Sequence, residues 1–103
     1  MLEQSPFTWL EKISADHPAT NGHFEGNPII PGPMIFEYVR LALKKMDNTL
    51  KLTRIIKAKF THTLKPGEEL AVTIVKSSGN QFRFQCTDSK SNLIASGEFC
   101  AEG

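Results

Sequence analysis

With 103 residues, 40% of them hydrophobic and 22% charged, the chain has the size and composition of one globular domain with a single core. No apolar run approaches the ~20 residues of a spanning helix, and the N-terminus lacks the basic and apolar regions of a secretory signal, so no membrane is expected. The net charge is only +1, and the two cysteines, Cys86 and Cys100, form no C-x-x-C pair, so reduced thiols in a cytoplasmic protein are the expectation.

In chain order, Phe7, Trp9, Glu11 and Ile13 alternate with Thr8, Leu10 and Lys12, an imperfect period of two that predicts a first strand. Residues 16–33 carry four prolines and three glycines and read as loop. Proline fixes its own φ and disfavours helix in the residue before it, so this loop is stiff. Pro33 suits a first helical turn, where its missing N–H has no partner to lose. Residues 34–46 form the one convincing helix, rich in good formers such as Leu41, Ala42, Leu43, Lys44 and Lys45. Its apolar residues leave little polar surface, and a helix apolar nearly all round is buried. Asp47 and Asn48 end it.

From about Lys51 the period becomes two: Ile56, Ala58, Phe60 and Leu64 alternate with Lys57, Lys59, Thr61 and Thr63. Lys65-Pro66-Gly67-Glu68 is a turn, and Leu70, Val72 and Ile74 carry the next strand to a second turn at Ser77-Ser78-Gly79-Asn80. Phe82, Phe84 and Cys86 define another strand, a polar turn covers 88–92, and Leu93, Ala95, Gly97 and Phe99 close the chain. One helix against four or five antiparallel strands is an α+β arrangement in a single domain, residues 1–103. One helix suffices only if the sheet curls around it. A curved antiparallel sheet wrapped about a central helix, completed by a second subunit, is therefore expected.

Charge is unevenly placed. Between Arg40 and Lys65 lie eight of the twelve basic residues and one acid, Asp47, giving that segment +7 against −6 for the rest. Such polarity suits an acidic partner; the plainer alternative is a solvated face. Nucleic acid is not expected, because no nucleic-acid motif and no aromatic ladder is present. No metal site is expected for want of ligands, and no Ser stands in a G-x-S-x-G elbow. His17 and His62 have no acid or Cys at a telling spacing.

Residues 22–37 read G-H-F-E-G-N-P-I-I-P-G-P-M-I-F-E. The run resembles the signature of the 3-hydroxyacyl-acyl-carrier-protein dehydratases of the FabZ/FabA type, G-H-F-P-G-x-P-h-h-P-G with an acid fourteen residues after the His. Eight positions match: Gly22, His23, Phe24, Gly26, Pro28, Pro31, Gly32 and Glu37. The stretch Ala58-Lys59-Phe60 to Pro66-Gly67-Glu68 also resembles that family's strand and turn. Glu25 stands where the family has Pro, and Leu41 where it often has a Gln that supports the acid. The family's N-terminal helix and strand over the substrate channel have no counterpart expected in this chain.

The resemblance implies a hotdog fold and dehydration of a carrier-bound 3-hydroxyacyl thioester to the trans-2-enoyl thioester, in fatty-acid synthesis or a related polyketide or polyene pathway. His23 would be the base for the C2 proton, oriented by the backbone carbonyl of Ile29. Gly32 would donate its N–H to the thioester carbonyl, and Glu37 would act as the acid for the departing hydroxyl. No metal or organic cofactor is implied. Two hotdogs would pair as a homodimer, or a multiple of it, with His23 of one facing Glu37 of the other. The partner would be an acidic acyl carrier protein, with Arg40, Lys44, Lys45, Lys57 and Lys59 as docking candidates. The residues by themselves leave other readings. Glu37, Arg40, Lys44 and Asp47 also fit a solvated stripe with Glu37 paired to Arg40. A non-catalytic acyl-binding hotdog subunit, or an acyl-thioesterase on the same fold, remains the alternative function.

Overall fold

The computed structural model describes residues 6–13, 30 and 32–103. Strand β1 spans Phe7–Lys12, helix α1 Gly32–Met46, β2 Lys51–Phe60, β3 Glu69–Ser78, β4 Gln81–Thr87 and β5 Leu93–Glu102. The five strands make one sheet in the order β1-β3-β4-β5-β2, every neighbouring pair antiparallel. Both β1 and β2 are therefore edges, and β2 follows the helix directly.

The period-two residues sort as their spacing requires. Leu70, Val72, Ile74, Phe82, Phe84 and Cys86 are buried, while Arg83 and Gln85 are exposed. Val72 lies opposite Cys86 and Ile74 opposite Phe84, so the apolar faces of β3 and β4 coincide. Helix α1 lays Ile35, Tyr38, Val39, Ala42 and Leu43 on that face. Phe99 stacks on Phe82 with centroids 5.4 Å apart and also meets Phe84 at 6.1 Å. Each such pair adds about 0.5–1.5 kcal/mol to the ~1.5–3 kcal/mol from burying each ring. Burial pushes the Cys86 thiol up to about 12, so this cysteine is an inert part of the core, and both cysteines are free.

Four details differ from the pattern-based expectation. The helix begins at Gly32, two residues early, because Pro33 sits comfortably inside its first turn. Its surface is one-sided: Glu37, Arg40, Leu41 and Lys45 are exposed, so within one chain the helix lies on the sheet with a wet back. In β2 the register shifts between Leu52/Arg54 and Ile55/Lys57. An extra residue at a bulge reverses the alternation, so Ile55 opposes the core residue Phe99, and Ile56 no longer shares a face with Ala58 and Phe60. Leu64 is buried but lies beyond the strand, in a single bridge to Ile30.

The helix ends where a carboxylate can close the turn. Asp47 accepts hydrogen bonds from the Thr49 N–H at 3.0 Å and from Thr49 Oγ1 at 2.6 Å, and these hold its carboxyl below the usual range. Lys44 and Lys45 in the last turn suit the negative end of the helix. Among the described residues no helix is long and apolar enough to cross a membrane.

Candidate active site

Three hydrogen bonds hold the described residues on either side of positions 14–29. Ile13 follows β1 directly, donating its N–H to Glu68 O at 2.9 Å and accepting from the Gly67 N–H at 2.8 Å. Ile30 donates its N–H to Leu64 O at 2.8 Å, two residues before the helix begins. Both flanks of residues 14–29 are thus fastened to one connection, 64–68, between β2 and β3. His23 and Ile29 themselves lie outside the described residues.

Gly32 is the first residue of α1, so its N–H is among those that the helix leaves without an internal partner. The ring of Phe60, at the end of β2, lies beside it: a Cβ built on Gly32 would meet Phe60 Cε1 and Cζ at 3.4 Å. The ring packs edge-to-face on Phe36, centroids 5.7 Å apart at 63°. Phe60 reads in the sequence as a strand residue turned to the core, yet it is 47% exposed. The alternation of β2 carries no sign of this, because the helix N-terminus that Phe60 touches is a distant segment.

Glu37 stands on the exposed side of α1. Its Oε1 accepts hydrogen bonds from Arg40 Nη2 at 2.8 Å and Arg40 Nε at 3.3 Å. The pair is open to solvent, with 46% of the Arg40 side chain and 54% of the Glu37 side chain exposed. An ion pair of this kind is worth at most about 1 kcal/mol, so Arg40 does not lock the carboxylate away from a ligand. The solvated-stripe reading and a reachable acid are both consistent with this geometry.

The basic residues do not form one surface. Lys57 and Lys59 lie opposite Glu98 and Ser96, alternating with Ala58 and Phe60, and so project from the sheet face turned away from α1. Lys57 pairs with Glu98 at 3.4 Å. Arg40, Lys44 and Lys45 are on the helix, where Lys45 Nζ sits 5.0 Å from the centre of the Trp9 ring, a cation–π contact. Clefts in the described surface include one of about 390 Å³ around Lys57, Arg83 and Glu98 and one of about 770 Å³ around Met46, Leu50 and Phe82. Neither is lined by Gly32 or Glu37, and the larger lies at the opposite end of the helix from the matched loop.

Residues 3–98 match the model of the ApeI-like family, described as ApeI dehydratase. A 3-hydroxyacyl-[acyl-carrier-protein] dehydratase FabZ of Levilactobacillus brevis is 32% identical over 98 residues, covering 85% of this chain and 66% of the relative. A FabZ of Campylobacter curvus is 32% identical over 108 residues, covering 89% of this chain and 70% of the relative. The chain thus spans about two thirds of the length of these curated relatives. Among solved structures, the dehydratase heterocomplex ApeI:P from Xenorhabdus doucetiae superposes with a TM-score of 0.79 at 18% identity, over 95% of this chain and 88% of that one, a likeness of fold. With a family model covering nearly its whole length and a five-stranded antiparallel sheet on one helix, the chain belongs to the ApeI-like dehydratases of the hotdog fold, akin to FabZ.

Proposed function

We propose that this protein is a hydro-lyase that dehydrates a 3-hydroxyacyl thioester carried on an acyl carrier protein, in fatty-acid or related polyketide or polyene synthesis. The observation that carries the reading is the family match over residues 3–98, which includes His23, Gly32 and Glu37. Its geometric support is a solvent-reachable Glu37 in the first half of α1, at the end of the fold where both flanks of the His23 loop are fastened.

His23 takes the C2 proton, and the electrons left on C2 spread into the thioester carbonyl. The Gly32 N–H, at the positive end of the helix, stabilises the oxygen that gains charge. Glu37 delivers a proton to the 3-hydroxyl as the C3–O bond breaks, and water leaves with the enoyl thioester formed. The carbonyl of Ile29 fixes the His23 ring. Glu37 must exchange Arg40 for the substrate, a small cost for an exposed pair.

A second hotdog is needed in this reading, with His23 of one subunit serving Glu37 of the other. The wet back of α1 and the free β2 edge are the surfaces that pairing would cover. The Xenorhabdus relative is a complex of two different chains, so the second hotdog is either a copy of this chain or a related partner. A cytoplasmic setting follows from the carrier-borne substrate.

Incubation with a 3-hydroxyacyl thioester, followed by absorbance of the conjugated enoyl group and by free thiol, separates the alternatives. Enoyl absorbance without thiol release is the expected result. Thiol release would make the protein a thioesterase, and binding with neither change would make it a non-catalytic acyl-binding subunit.

A further inference from the structure

The basic segment from Arg40 to Lys65 is split by the fold, and its outer half has no part in the chemistry around α1. Lys57 and Lys59 project from the face of the sheet turned away from the helix. On that face β4 presents Arg83 and Gln85, because Phe82, Phe84 and Cys86 take the buried side. The strand register fixes how these side chains meet. Lys57, Glu98 and Arg83 lie opposite one another across β2, β5 and β4, and in the next row Lys59, Ser96 and Gln85 do the same. Ser96 thus has Lys59 and Gln85 as direct neighbours, with Lys57 and Arg83 on the diagonals, within reach of long side chains.

Three cations meet one acid in these two rows. Glu98 is taken by Lys57 at 3.4 Å. Arg83 lies directly opposite Glu98 yet makes no ion pair with it, and the side chains of Lys59, Arg83, Gln85 and Ser96 have no hydrogen-bond partner among the described residues. Beside them opens the cleft of about 390 Å³, within the size range of small-ligand sites, lined in part by Lys57, Arg83, Gln85 and Ser96. A guanidinium fork, two ammonium groups, an amide and a hydroxyl therefore converge, with surplus positive charge and unused N–H and O–H donors. Such a set suits a tetrahedral oxyanion: the fork takes two oxygens, and the ammonium and hydroxyl groups reach a third. Neither row carries an exposed aromatic ring, so the face offers nothing on which bases would stack.

We propose that the outer face of the sheet is an anion site, in which Arg83, Lys57 and Lys59, with Gln85 and Ser96, hold the phosphate group of a phosphate monoester. The bound phosphate relieves the repulsion among the three cations, and Glu98 keeps Lys57 extended along the rim. The site lies on the opposite side of the sheet from Gly32 and Glu37 and does not depend on the dehydratase reading.

The test is calorimetric titration of the full chain with glycerol 3-phosphate, at low and moderate salt, with thermal unfolding followed in parallel. Saturable one-to-one binding with a Kd of about 1 mM or tighter is expected, together with a rise in Tm that follows the ligand concentration. Arg83→Gln and Lys59→Gln should each weaken binding about tenfold, and Arg83→Lys, which keeps the charge and loses the fork, at least about threefold. Lys44→Gln makes the same change of net charge on the helix and should leave Kd unchanged. All four positions are on the surface, so ligand-free unfolding midpoints near wild type would show that the variants fold. Lack of saturable binding would overturn the site. Equal weakening by Lys44→Gln, wild-type affinity in Arg83→Gln, or equally tight binding of glycerate, whose anion is a carboxylate, would do the same. Vesicles of phosphatidylcholine with and without phosphatidic acid separate the two sources of the phosphate. Capture by phosphatidic acid that Arg83→Gln abolishes would support the site with a lipid headgroup in it, and binding of the free ester without capture would support it with a soluble ligand.

Discussion

Glu37 and Arg40 are three residues apart on α1, and their contact shows how little an exposed pair decides by itself. The same carboxylate serves as a surface ion-pair partner in one chain and as the proposed acid once a substrate and a second subunit approach. Glu37→Gln keeps the shape but carries no proton to give. It should lower kcat by about 10²–10³ with KM little changed, since the interaction matters most in the transition state. His23→Ala should lower kcat at least as far while the far-ultraviolet dichroism and unfolding midpoint stay near wild type. Turnover retained in either well-folded variant would remove that residue from the chemistry.

At the scale of elements, β5 sits between β4 and the bulged β2, and Gly97 faces both of them. It lies opposite both Phe84 and Ala58, and a side chain there meets backbone on one side and a packed ring on the other. Gly97→Ala should therefore destabilise the fold by about 1–3 kcal/mol, which for a domain of this size lowers Tm by roughly 4–8 °C per kcal/mol. An unchanged Tm would show that β2 can yield.

The β4–β5 turn is organised by Asp88, which is buried and accepts hydrogen bonds from the Lys90 and Asn92 N–H groups, both at 2.9 Å, and from Asn92 Nδ2 at 3.1 Å. Desolvation raises this carboxyl, but the Asn92 and Lys90 hydrogen bonds, with His62 nearby, outweigh it and the net direction is down. A folded-state value below the unfolded ~3.9 gives stability that is complete above about pH 5 and disappears as pH falls through that range. The stability gap between wild type and Asp88→Asn in urea should thus be constant from pH 5 to 7 and close toward pH 2. A gap independent of pH would mean that the carboxylate charge contributes nothing.

For the whole molecule, two hotdogs that share sites should complement one another. Mixing inactive His23→Ala with inactive Glu37→Gln protein should restore activity through hybrid sites, whereas a stable, active monomer in sedimentation would exclude shared sites. The proposed carrier docking is constrained by the division of the basic segment between the helix and the far face of the sheet. The helix side carries Glu37, so Lys44→Glu with Lys45→Glu should cut kcat/KM for carrier-bound substrate about tenfold at low salt and leave a small thioester unaffected. Lys59→Glu, on the outer face, should change neither. An equal loss with both substrates would leave the helix lysines as a solvated face.

Local features were legible in the sequence because local rules produce them. The alternation of Leu70, Val72 and Ile74 with that of Phe82, Phe84 and Cys86, the Pro-Gly turn before β3 and the helix from Met34 to Met46 all depend on neighbours within a few positions. The spacing of His23, Gly32 and Glu37, on which the proposed chemistry rests, was equally visible because it is a pattern in the linear order of the chain. Tertiary structure alone decided the rest. It set the two bulges that put Ile55 rather than Ile56 against Phe99, the wet back of α1, the division of Lys57 and Lys59 from Lys44 and Lys45, and the Phe60 ring beside Gly32. Each of these depends on residues far apart in the chain meeting at one place, and no pattern along a single strand or helix records which distant surface it will meet.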